Sequence, residues 1–224
     1  MKASDSCKIQ VITYSKEGVC EMPDSFNACY EQVVTLRKED KFPEGLDQNQ
    51  VINVFFPNTV ADLTTDLSTV TSAFYGVMLQ SCLKFVSGDS IDAISKEFFY
   101  RLGKIKANGA LQQADGKIEF PRDTRGVVLV LIAAIYNASP EYQFEVPQYT
   151  SAKSVIILKG KDRYFRIAST LGINHLFEWP TLLPFFKGIS DELGVNLETR
   201  ANIKKLEKNG VCDIEYTITK NEQD

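Results

Sequence analysis

The sequence predicts an α+β domain in which an antiparallel sheet with a C-terminal hairpin packs against a long helix pair and further inserted helices. Helical periodicity fills the middle of the chain, strand alternation fills its last third, and the β-α-β alternation of a doubly wound sheet is missing.

Residues 7–22 alternate apolar and polar side chains around Ser15-Lys16-Glu17-Gly18, the pattern of a hairpin. Phe26, Cys29, Tyr30, Val33 and Val34 then recur at helical spacing behind Asp24 and Ser25, either of which can cap a helix start. Residues 38–58 hold Pro43, Gly45 and Pro57 around one strand-like piece, 51–56, and read as a connector. This places an accessory unit at 1–55, a main domain at 56–219 and a polar tail at 220–224.

From Thr59 onward, Val60, Leu63, Leu67, Val70, Phe74, Val77 and Met78 keep the spacing of one helix face. Ile91, Ile94, Phe98, Leu102 and Ile105 form a second stripe behind Ser90 as the expected cap, and the two helices are expected to pair. Asp123 precedes an apolar run over 127–136, whose Ala133-Ala134 pair favours a buried helix over a strand. Residues 142–146 and 154–158 read as strands, and residues 162–171 and 181–193 as helices ended by Gly172 and Gly194. Residues 197–204 alternate again. Asn209-Gly210 then predicts a type I′ turn, with both residues at positive φ, before Cys212, Ile214, Tyr216 and Ile218 line one face of the last strand.

Charge and composition exclude several classes of function. With 25 basic and 29 acidic residues the net charge is -4, and neither sign gathers into a block suited to nucleic acid. The longest apolar run, residues 127–135, falls well short of the ~20 residues that a membrane span needs. No secretory signal is legible after Met1, and Cys7, Cys20, Cys29, Cys82 and Cys212 lack CxxC spacing, so a cytoplasmic protein with free thiols is expected.

Phe56-Pro57-Asn58-Thr59 before a long helix containing Phe74-Tyr75-Gly76 is followed by Glu97-Phe98-Phe99-Tyr100-Arg101-Leu102-Gly103. Tyr164-Phe165-Arg166, Leu171-Gly172-Ile173 and Gly210-Val211-Cys212-Asp213 come next, in that order. This series resembles the L-2-amino-thiazoline-4-carboxylate hydrolase family and, more remotely, the 4-vinyl-reductase-type ligand-binding domains. The resemblance implies a shared small-molecule fold over residues 56–219. Lys159-Gly160-Lys161-Asp162 stands where hydrolase-like members carry a Cys-Pro pair, and Leu176-Phe177-Glu178-Trp179 where they carry a further cysteine, so it does not carry over their hydrolytic chemistry.

Phe177, Trp179, Phe185 and Phe186 cluster with Pro180 and Pro184 and can either wall a pocket for a planar ligand or fill core. Phe177, Trp179 and Phe186 make up the candidate ligand site with Phe74, Tyr75, His175 and Arg163; Arg163 belongs to a basic set with Lys159, Lys161 and Arg166 able to hold an anionic group. His175 is the only histidine, so any triad has to be built around it. Cys82, His175 and Cys212 are weak metal candidates without metal-site spacing. The paired carboxylates Asp62/Asp66 and Asp191/Glu192 read more simply as solvated helix faces than as acid-base pairs. The reading is a small-molecule-binding protein whose ligand is mainly apolar or planar; a hydrolase-like enzyme and a helix-mediated homodimeric scaffold, from the near-heptad stripe after Thr59, are the alternatives.

Overall fold

Most of the described helices begin where a side chain takes up an orphaned backbone N–H. In the computed structural model, which describes residues 43–45, 59–136 and 141–221, helix α1 (Val60–Cys82) is capped by Thr59, whose Oγ1 accepts from the Asp62 N–H at 3.0 Å. Helix α2 (Gly88–Ala114) is capped by Ser87 rather than the expected Ser90, so Gly88 opens the helix. Helix α3 (Thr124–Tyr136) follows. Helix α4 (Arg163–Thr170) is capped by Asp162, whose carboxylate accepts from the N–H groups of Tyr164 and Phe165 at 2.9 and 3.0 Å. Helix α5 (Leu183–Leu193) closes on Gly194 at φ 69°. The expected hairpin at 7–22, helix at 26–34 and strand at 51–56 lie outside the described residues. The chain divides into two compact units, Met1–Phe56 and Pro57–Asp224, and every helix and strand described belongs to the second.

The fold is α+β. Strands β1 (Tyr142–Tyr149), β2 (Lys153–Lys161), β3 (Leu197–Leu206) and β4 (Val211–Lys220) form one antiparallel sheet in the order β1-β2-β4-β3. The register of edge strand β1 shifts between Glu145 and Gln148, where Pro147 can sit without costing a ladder bond. The β3-β4 turn differs from the expected type I′: only Gly210 takes positive φ, the Gly210 N–H donates to the Glu207 carbonyl at 2.7 Å, and Asn209 Oδ1 accepts from the Val211 N–H. Asn209 therefore acts through its side chain, not through a left-handed backbone.

One sheet face is dry. Ile156, Leu158, Cys212, Ile214, Tyr216 and Ile218 are buried there, and α3 and α5 pack over the sheet. The alternation seen in the sequence thus sorts β4 as expected, because successive side chains point to opposite faces.

The helix pairing differs from expectation. The main partner of α2 is α5, and the two backbones meet at Gly103 and Gly188: a Cβ on Gly103 would strike the Phe185 carbonyl, and one on Gly188 the Tyr100 carbonyl. Helix α1 rests instead on α4, where Gly76 lies against Ile167 and Leu171. Its inward face carries Ser68, Ser72, Tyr75 and Leu79, all buried. The stripe expected to face the core points outward, with Leu67 59%, Val70 67%, Phe74 71% and Val77 50% exposed. Small residues at four-residue spacing let this helix seat closely, so the bulky stripe takes the opposite side.

Candidate functional site

Between α1, α2, α3 and the first turns of α4 and α5 the packing leaves a cavity of about 280 Å³. Its apolar walls include Phe98, Phe99 and Leu102 from α2, Leu131, Ala134 and Ile135 from α3, Leu158 from β2, and Leu182 and Phe185 at the start of α5. Leu67 and Thr71 of α1, both exposed, form its open rim. The aromatic walls are locked against one another: Tyr75, Phe98, Phe99 and Tyr164 meet with ring centroids 5.0–5.6 Å apart, mostly edge to face. Tyr75 braces this set from behind and shares a 2.6 Å hydrogen bond with the buried Ser95 hydroxyl. Burial holds the Tyr75 phenol above its ordinary range, so it stays neutral.

The polar side of the cavity starts at Arg163. Because Asp162 caps α4, Arg163 falls at the first helical position, and its guanidinium reaches back to Ser68 Oγ on α1 and to the Tyr164 hydroxyl, both at 2.9 Å. The cation also stacks over the Tyr164 ring at 4.8 Å. Lys106 of α2 and the hydroxyl-bearing side chains of Ser68, Thr71 and Tyr142 complete the polar lining, and no carboxylate, histidine or cysteine is among the described lining residues. Desolvation raises the carboxyl of Asp162, which is buried behind the lining, above the usual carboxylate range, and its cap bonds and Arg163 oppose that shift. Desolvation also holds the Tyr142 phenol well above its ordinary value.

Of the residues singled out from the sequence, Arg163 and Phe185 line the cavity and Tyr75 supports it. Phe74 projects to the surface instead, and His175 is exposed on a short 3-10 turn, Asn174–Leu176. Phe177 and Trp179 form a separate aromatic packing: the Trp179 ring meets Phe165 at 4.7 Å and Phe177 at 5.8 Å, and its indole N–H donates to the Asn174 carbonyl at 2.8 Å. Phe186 is fully buried against Tyr216 under α5. Cys82 ends α1 and Cys212 lies buried on β4, and no group of three or more potential metal ligands gathers among the described residues. Burial, with the Asp162 charge adding to it, pushes the Cys212 thiol up to about 12, which makes it a poor nucleophile. Most of the cavity residues carry no motif, so sequence reasoning misses them. Ser68 and Thr71 stand out only as small polar interruptions in an apolar helix.

No family model matches the sequence, and no curated protein matches it. Among solved structures, the fold is similar to trafficking protein particle complex subunit 3 from Naegleria fowleri, covalently bound to palmitic acid, with a TM-score of 0.46. Identity is 10%, and the match covers 70% of this chain and 97% of that one. No helix among the described residues is long and apolar enough to cross a membrane.

Proposed function

We propose that the protein binds a small, mainly apolar molecule carrying one anionic group, and that it acts as a carrier or sensor rather than a catalyst. The observation that carries this reading is a cavity with apolar walls whose only charged lining residues, among the described residues, are the cations Arg163 and Lys106. Its volume lies just below the ~300–1,000 Å³ of most ligand pockets, which suits a ring or a short chain rather than a long lipid. A charge-assisted bond from Arg163 or Lys106 would fix the polar end, and the locked aromatic rings would exclude water from the other. Binding is favoured over hydrolysis because the described lining supplies no histidine, cysteine or carboxylate to activate a nucleophile.

The test compares a short alkyl carboxylate with the alcohol of equal chain length by calorimetric titration. The carboxylate is expected to bind about 10-fold or more tightly, the scale of one charge-assisted hydrogen bond. Lys106→Met should shrink that preference, and Ala134→Trp should abolish binding of both by filling the cavity while the fold is kept. Equal affinity for acid and alcohol would overturn the anionic part of the reading. Binding that survives Ala134→Trp would move the site elsewhere.

A further inference from the structure

Helix α1 has two apolar faces, and the chain's own described core uses only one of them. From Leu67 to Leu83 no residue carries a charge, which is unusual for a helix with a solvent-exposed side. Val60, Leu63, Leu67, Val70, Phe74 and Val77 occupy alternating three- and four-residue steps, the a and d positions of a heptad seam. Leu67, Val70, Phe74 and Val77 are half or more exposed along that seam. A narrow seam of this kind fits another helix of the same spacing better than it fits a sheet or a flat surface.

We propose that α1 pairs with α1 of a second copy of this chain, antiparallel, through the Leu67-Val70-Phe74-Val77 seam. The antiparallel sense follows from charge: Asp62 and Asp66 stand at the helix start, and Lys84 follows its end. Two antiparallel helices bring the acidic end of each to the basic end of the other and oppose their dipoles, whereas a parallel pair would stack the aspartates. In this register Val70 meets Phe74 of the second copy and Leu67 meets its Val77. The four side chains present on the order of 400 Å² per copy, or roughly 800 Å² over both. Flanking Thr64 and Thr71 extend this toward the ~1,000 Å² at which specific interfaces begin.

The pairing has a consequence for the cavity. Leu67 and Thr71 form the rim, so a second copy seated on the seam covers the opening and completes a site that one copy leaves open. The dimer itself stands on α1 alone; only its role as a cover rests on the ligand reading above.

Sedimentation equilibrium of the full chain without added ligand tests the pairing. The expected result is a concentration-dependent dimer. Val70→Glu and Phe74→Glu, made separately, should each raise its dissociation constant at least about 100-fold, because each forces a charge into an apolar seam. Both variants should keep the thermal melt of the parent monomer, since both positions are exposed. Ile118→Glu, an equally exposed apolar position after α2, should leave the dimer intact. A full chain that stays monomeric at every concentration overturns the proposal, whatever else covers α1, and so does a dimer that neither seam variant weakens. Ligand titration on the same samples keeps the two readings apart, because a dimer without ligand binding removes only the cover, and ligand binding by a monomer removes only the seam.

Discussion

Helices α1 and α5 carry similar apolar periodicity and do opposite things with it. On α5, Phe185, Phe186, Ile189 and Leu193 are buried, and Gly188 lets the backbone seat against α2. On α1 the apolar stripe Leu67, Val70, Phe74 and Val77 faces outward, and the inward face mixes Ser68, Ser72 and Gly76 with the buried Tyr75 and Leu79. Helical spacing shows that a face is apolar; which neighbour meets that face depends on backbone approach, and small residues set that distance.

The sharpest way to break this contrast is to truncate one phenylalanine on each helix. Phe186→Ala, removing a fully buried ring that packs on Tyr216, should cost about 3–5 kcal/mol in denaturant unfolding. Phe74→Ala should stay within about 0.5 kcal/mol when measured at concentrations where the chain is monomeric. Equal losses would mean that the α1 stripe is core after all.

Next in size is the close crossing of α2 and α5. Gly188→Ala should cost about 1–3 kcal/mol by urea denaturation, because the added methyl meets the Tyr100 carbonyl, and backbone cannot move aside as a side chain can. Caps extend the comparison to the helix starts. Asp162→Ala should cost about 2 kcal/mol, since it orphans two buried N–H groups, whereas Thr59→Ala at the exposed start of α1 should cost about 1 kcal/mol or less. Asp162→Asn should lose less than Asp162→Ala, because asparagine caps as well and burial already disfavours the charge.

The smallest expected effect is electrostatic. Hydrogen bonds from the Arg125 side chain hold the Asp123 carboxyl below the usual carboxylate range. A carboxyl lowered by folding stabilises the native state above its unfolded pKa and loses that contribution as the pH falls through the folded value. Because the Arg125 side chain is partly exposed and its charge is screened by solvent, Asp123→Asn should cost no more than about 1 kcal/mol at neutral pH. The difference from the parent chain should vanish by about pH 2 in a series of thermal melts.

Much of the fold is legible in the amino-acid pattern. The alternation of Cys212, Ile214, Tyr216 and Ile218 marks the buried side of β4, because a period of two leaves only two faces to choose between. Gly172 and Gly194 mark helix ends because the left-handed conformation there is cheap only for glycine. The candidate site is far less legible. Phe177, Trp179 and Phe186 look like pocket walls in the sequence, yet they pack on Phe165 and Tyr216, while Ala134, Leu131 and Phe99, which look like plain core, border the cavity.

By itself the sequence determined element types, most of their ends, the buried face of the last strand and the uncharged stretch from Leu67 to Leu83, since each depends on neighbours a few residues apart. Tertiary structure decided which helix pairs with α2, which way α1 turns its apolar stripe, and that Arg163 meets Ser68 from nearly a hundred residues away. Those outcomes depend on how closely two backbones can approach, and that distance is fixed only when both are in place.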